Sequence, residues 1–265
     1  MAARTRAPES LLAEDRHRLI LRQLDQTGSV AIRTLAHELG VSRETIRRDI
    51  DRLVSRGGFR KTRGGAVAFA PVEASDTERG MVNALAKRAI GQRAAALVRD
   101  GASLILDSGT TTRAVAQALA TRRNLTVYTN DLAICRALAR HNGNRVVLLG
   151  GELQQHEDAT VGWDAISALA NYTAEFAFVG VGGLTADGGI TDFTRDGAEL
   201  RGRMLSSART AVIVADASKF TTVTPIRVPH FDKVTHLVTD RAPPAALGRA
   251  LRAKGVRILT AAGRR

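Results

Sequence analysis

A chain of 265 residues with 44% hydrophobic content is long enough for two ordinary domains and can bury a core. Its one cysteine, Cys135, excludes an internal disulfide framework, and no run approaches the roughly 18 apolar residues a membrane helix requires. The net charge of +13 points to a polyanionic partner. Residues 1–70 carry 14 Lys and Arg against 8 Asp and Glu, whereas the other 195 carry 25 against 18, so the excess is more than twice as dense at the N-terminal end.

The opening "MAARTRAPES" has no apolar core of the kind a signal peptide needs, so a cytoplasmic protein is expected. In "RHRLILRQLDQTG", Leu19, Ile20 and Leu24 share a helical face and Gly28 provides a stop. "SVAIRTLAHELG" predicts a second short helix, with Leu35 and Leu39 inward and Gly40 at its end. After the turn "GVS", Ser42 is placed to cap a third helix, whose buried stripe is Ile46, Ile50, Leu53 and Val54. Arg43, Glu44, Thr45, Arg47, Arg48 and Arg52 are left on its other faces.

Two helices joined by a Gly-containing turn form a helix-turn-helix, whose second helix enters the major groove of DNA. Ser42, Arg43, Thr45 and Arg47 at the N-terminal end of that helix are expected at base edges, and Arg48 and Arg52 are expected among the DNA contacts, because a guanidinium fork suits guanine edges and phosphates alike. "GGFRKTRGGAV" predicts a hairpin wing projecting Arg60, Lys61 and Arg63 toward the DNA backbone or minor groove. The bland alternative is a three-helix bundle with solvated charges. Residues 12–68 are thus read as a winged helix-turn-helix domain.

"AFAPVEASDTERG" mixes Pro, Ser and charge without periodicity, so 69–84 is read as a linker. Beyond it, apolar strands such as "SLILD", "LTVYTN", "RVVLLGG", "FAFVGVGG" and "TAVIVAD" alternate with helices. That pattern predicts a doubly wound α/β domain over 85–265, with a mostly parallel sheet and a ligand at the carboxyl ends of its strands.

Small and polar residues follow several of those strands: Asp107, Ser108, Gly109, Thr110, Thr111 and Thr112; Thr129 and Asn130; Gly150 and Gly151; Gly182 and Gly183; and Lys219. In the first segment, amides at a helix start and the hydroxyls suit a phosphate, and Lys219 supplies a point charge. Each of these taken singly also reads as an ordinary cap or turn. Gly180-x-Gly182 lacks the third glycine of a dinucleotide fingerprint, Thr185 standing there, so nicotinamide is discounted. His141, His156, His230 and His236 have no metal-ligand spacing. No cofactor and no metal is expected.

The N-terminal pattern, with its core "VSRETIRRDIDRL", resembles the DNA-binding domain of DeoR-type bacterial transcriptional regulators, among them the glycerol-3-phosphate repressors. Arg63 stands where that family usually has His. "DSGTTT", "TND", "LLGGEL", "VGVGGLTADGGIT", the Glu199 region and "DASKF" similarly resemble the family's sensor domain. The resemblance implies a sensor fold like that of ribose-5-phosphate isomerase, with Glu199 at the site. It implies a repressor acting on operator DNA, a phosphorylated sugar or polyol effector, and a homo-oligomer, dimer or tetramer. Arg203 and Thr221-Thr222 depart from the family pattern near the expected pocket.

The alternative is a sugar-phosphate isomerase with a basic N-terminal extension. Asp107, Asp187, Asp192 and Glu199 leave proton transfer open by residue type. A helix-turn-helix serves no purpose in such an enzyme, so a non-enzymatic regulator is the expectation.

Overall fold

The computed structural model describes residues 12–27, 29–55, 59–62, 64–68, 76–154, 157–220 and 222–261. The chain divides into two units, Met1–Val72 and Glu73–Arg265. Among the described residues no helix is long and apolar enough to cross a membrane.

The first unit runs α1 (Ala13–Thr27), β1 (Ser29–Ala31), α2 (Ile32–Glu38), α3 (Arg43–Ser55), β2 (Phe59–Thr62) and β3 (Gly65–Ala68). Ile20, Leu35, Ile46 and Ile50 form its fully buried centre, with Leu53 beside them. Gly40, at a φ of +63°, turns the chain out of α2, and the Ser42 Oγ accepts the Thr45 amide at 3.0 Å to cap α3.

Ser29–Ala31, read as the start of the second helix, is a strand pairing antiparallel with β3, so the wing belongs to a three-stranded sheet ordered β1-β3-β2. Gly65 permits this close pairing, since a Cβ there would lie 1.8 Å from the Val30 carbonyl oxygen.

Asp49 of α3 faces inward and is 2% exposed. It takes the Arg16 Nε at 2.8 Å and the His17 Nε2 at 3.0 Å, both from α1. Burial alone would push its carboxyl up, but these hydrogen bonds and the guanidinium charge hold it below the ordinary carboxylate range. The acid of "IRRD" is therefore a clamp that fixes α3 against α1.

The second unit opens with α4 (Asp76–Met81) and α5 (Ala84–Ala95). Helix α4 lies inside 69–84, so that stretch is not linker throughout; residues 69–75 lie outside the described residues. Polar ties rather than apolar periodicity hold this helix, which is why its sequence carries no helical signature.

Next come β4 (Ser103–Leu106), α6 (Thr110–Ala118), β5 (Thr126–Thr129), α7 (Leu132–Leu138), β6 (Arg145–Leu148), β7 (Glu152–Leu153), β8 (Thr160–Val161), α8 (Trp163–Leu169) and β9 (Ala174–Val179). Then follow β10 (Gly183–Leu184), β11 (Ile190–Asp192), α9 (Arg195–Ser206), β12 (Ala208–Val214), β13 (Ile226–Arg227), β14 (Val234–Thr239), α10 (Ala245–Ala253) and β15 (Arg257–Thr260).

Seven of these strands form one parallel sheet, ordered β15-β14-β12-β9-β4-β5-β6. Side chains alternate between its faces. Leu104, Leu106, Val212 and Val214 pack on the α5, α6 and α7 side, and Ile105, Ala211 and Ile213 on the α8, α9 and α10 side. Coverage of both faces explains the continuous apolar runs in the sequence. From β4 the chain steps outward to β5 and β6, then returns to β9 on the opposite side of β4. The gap between the ends of β4 and β9 is thus the topological switch point, where such sheets bind ligands.

Candidate functional site

In the first unit, Ser42 at the cap of α3 and Arg43, Arg47, Arg48 and Arg52 on the helix are exposed and Thr45 is half-buried, so the apolar stripe has left the cations outside. Glu44 sits among them. It accepts the Arg47 Nη1 at 2.7 Å and lies 3.7 Å from the Arg48 Nε. Lys61 on β2 pairs with Asp51 of α3. Arg60 lies in β2, its side chain outside the described residues, as Arg63 is altogether.

In the second unit the switch point holds a cavity of about 230 Å³. Ser108, Gly109 and Thr110–Thr112, running from β4 into α6, form one wall. Gly109 has a φ of +120°, a left-handed value that admits glycine and strains other residues. The amides of the first helical turn have no acceptor within a helix, so α6 presents donors and the positive end of its dipole to the cavity.

The opposite walls are Gly180 and Val181 after β9, Val214 at the end of β12 with Ala215, Asp216, Ser218 and Lys219 after it, Arg201 of α9, Lys87 of α5, and Glu78, Arg79 and Val82 around α4. Four cationic side chains therefore line it against the two carboxylates of Glu78 and Asp216. Asp216 is already engaged, taking the Ser218 amide and the Asn83 Nδ2, each at 2.9 Å. Burial works against its charge, but these bonds hold its carboxyl below the ordinary value.

Behind the α6 start lies a buried triad. Arg201 donates its Nε to Asp107 Oδ2 at 2.8 Å and its Nη1 to Asp192. The Gly180 amide reaches the same Asp107 oxygen at 3.0 Å, tying β9 to β4 across the switch point. Burial pushes the Asp107 carboxyl up to about 6, against the pull of Arg201. A void of about 10 Å³ beside the triad is lined by Asp107, Ser108, Asn130 and Arg201. There the Asn130 Oδ1 is buried with no hydrogen-bond partner, while its amide donates to Thr160 O at 2.9 Å.

The expected effector residues thus separate into groups. Ser108, Gly109, Thr110, Thr111, Thr112 and Lys219 share the larger cavity, and Asp107 and Asn130 adjoin the small void. The Thr112 hydroxyl is spent on Gly109 O at 2.7 Å, leaving Ser108, Thr110 and Thr111 as hydroxyl donors. Thr129, Gly150, Gly151, Gly182, Gly183 and Glu199 border neither space.

Several of these six have structural work instead. The Thr129 Oγ1 accepts the Asp131 amide. A Cβ at Gly151 or Gly183 would meet backbone oxygens at 2.4 and 2.1 Å. Glu199 is exposed on α9. Of the histidines, His156 lies outside the described residues, and no metal-ligating cluster occurs among those that are described.

Sequence reasoning missed Arg201, Lys87 and Arg113. Arg201 had a readable signal: a lone cation three residues from Ala198 and three from Met204, inside the buried stripe of α9. Arg113 follows the phosphate-type loop and bridges Asp131, 2.8 Å away, to Asp76 of α4. Burial opposes its charge, yet the two carboxylates raise its pKa further.

Residues 16–72 match the DeoR-like helix-turn-helix domain, and residues 82–241 match the DeoR C terminal sensor domain. The chain is 31% identical to the HTH-type transcriptional repressor CsqR of Escherichia coli strain K12, over 94% of this chain and 96% of that protein. It is likewise 31% identical to a glycerol-3-phosphate regulon repressor of Haemophilus influenzae, over 86% and 89%. The repressor GlcR of Bacillus subtilis is 30% identical over 93% and 95%. Among solved structures, ribose 5-phosphate isomerase A of Methanocaldococcus jannaschii superimposes with a TM-score of 0.37 and 17% identity, covering 51% of this chain and 53% of that one. With both of its characteristic domains present in order, the chain belongs to the DeoR family of helix-turn-helix transcriptional regulators.

Proposed function

We propose that this protein is a repressor whose α3 and wing read an operator and whose switch-point cavity binds a phosphorylated sugar or polyol. Arg43, Arg47, Arg48 and Arg52 supply phosphate and base contacts. Ser108 to Thr112 cradle the phosphate, with Lys219 opposite. The observation that carries the effector half is the meeting of the α6 N-terminus with lysines from two other elements in one cavity at the switch point. A homodimer presenting two α3 helices to a two-fold operator fits this reading.

Effector and DNA are linked through a coupling free energy, typically about 1–3 kcal/mol, and each changes the other's affinity by the same factor. The reading is tested by fluorescence anisotropy of the protein on promoter DNA, with and without a panel of sugar and polyol phosphates. One member of the panel is expected to shift DNA affinity and to return unaltered. Turnover of a sugar phosphate without any effect on DNA binding would overturn it.

A further inference from the structure

Lys87 stands on the first turn of α5 and is 7% exposed. It borders two spaces at once. One is the switch-point cavity, which it shares with Ser108–Thr112 and Lys219. The other, of about 380 Å³, lies between α4, α5 and α6 and is lined also by Asp76 and Arg113. A lysine buried this deeply is ordinarily paired with an acid. Among the described residues no carboxylate makes an ion pair with Lys87; its Nζ donates to the Arg79 backbone carbonyl in α4. The charged groups facing it are Asp216 and Asp76, which favour its charge, and Lys219 and Arg79, which oppose it; burial opposes it most.

Helix α4 is a weakly anchored element. It has six residues and buries none of them. Its ties include three polar ones: Asp76 to Arg113, Arg79 to Glu157, and the Lys87 ammonium on the Arg79 carbonyl. A helix this short gains little from its own hydrogen bonds, so each external tie is a large share of what holds it. Glu78, Arg79 and Val82 of this segment also line the cavity, and α4 begins four residues after the unit boundary at Val72.

We propose that Lys87 is a ligand of the effector phosphate, and that engaging the phosphate takes it from the Arg79 carbonyl and loosens α4, the helix next in sequence to the DNA-binding unit. This rests on the anion reading of the cavity. An ammonium facing both the cavity and a helix carbonyl makes occupancy and helix anchoring compete for one side chain. An arriving phosphate also meets the Glu78 carboxylate on the same helix. A ligand shifts an equilibrium only by its differential affinity for the two states, and Lys87 supplies that difference.

The test is hydrogen–deuterium exchange over residues 76–85 of the full-length protein, with inorganic phosphate as the probe and calorimetry for its affinity. Wild type is expected to bind phosphate and to exchange several-fold faster in α4 when it is bound. Lys87→Gln is expected to exchange fast already without phosphate, to show no further response, and to bind phosphate about tenfold or more weakly. Lys87→Arg, which keeps the charge, is expected to retain phosphate binding. Thr111→Ala is expected to weaken phosphate while leaving unliganded α4 protected. Phosphate binding in wild type without change in α4 exchange would overturn the transmission, and undiminished binding in Lys87→Gln would overturn the ligand assignment. Absence of phosphate binding in wild type would overturn the anion reading itself.

Discussion

The two units handle charge in opposite ways. In the N-terminal unit the cations of α3 are exposed, and one buried acid, Asp49, holds the helix in place. In the C-terminal unit a guanidinium is buried, and Arg201 is gripped by two acids that are themselves 1% exposed. Exposed cations suit a long polyanion, attracted over a Debye length and bound by counterion release. Buried, fixed charges suit a small ligand met in a low-dielectric space. Under the proposed function, the exposed cations would meet the long anion and the cavity the small one.

Removing the buried cation is the most severe way to test this contrast. Arg201→Met leaves Asp107 and Asp192 buried without their partner, and breaking a buried pair in this way costs about 3–5 kcal/mol. Thermal unfolding is expected to show the C-terminal unit melting earlier, with the N-terminal transition unmoved. A change below about 1 kcal/mol would mean the triad is open to water.

The acids of the two units also predict opposite pH signatures. Asp49 titrates below its ordinary value, so its contribution is present above the unfolded pKa and is lost as pH falls through the folded one. Asp107 titrates at about 6, above its unfolded value of 3.8, so its contribution is complete below about 4 and is lost as pH rises through about 6. Comparing wild type with Asp49→Asn and with Asp107→Asn across pH 3 to 7 by chemical denaturation reads both slopes. In the first pair the wild-type advantage is expected to shrink toward acid, and in the second to shrink toward neutrality. Slopes of the same sign would erase the contrast.

The exposed face of α3 is expected to respond differently again. Arg47→Ala should leave both unfolding transitions in place and weaken specific operator binding by about 1–3 kcal/mol. Anisotropy titrations at two salt concentrations separate a base contact from a phosphate contact, because only loss of the latter flattens the salt dependence by about one unit of slope.

How much of this was legible followed from which interactions leave a periodic trace. The stripe Ile46, Ile50 and Leu53 and the run Ser103 to Leu106 announced a helix and a strand, because burial imposes a spacing. The loop Ser108 to Thr112 was readable because a helix start demands small and polar residues. What escaped depended on long-range partners. Helix α4 is held by Arg113 and Glu157, 37 and 78 residues away from their partners, and neither spacing leaves a pattern. Glycine was ambiguous for the same reason: Gly109 shapes the cavity, while Gly151, also at a positive φ, and Gly183 admit a neighbouring backbone.

The mildest and most discriminating change is Glu44→Gln. Glu44 is half-exposed, and its pairs with Arg47 and Arg48 lie on the solvent side of α3, so their worth to the fold is at most about 1 kcal/mol. Their effect on DNA is more telling, since the carboxylate both cancels charge and holds Arg47 to one side. If Glu44 only restrains these arginines, the neutral amide is expected to strengthen binding to random DNA by less than about tenfold and to steepen the salt dependence by about one. Specific binding would then gain as much, and the ratio between the two would stay constant. A carboxylate is also the natural acceptor for the amino group of a cytosine edge. In that case specific affinity would fall while random binding still rose, and the acid among the cations would be part of the reading head rather than a brake on it.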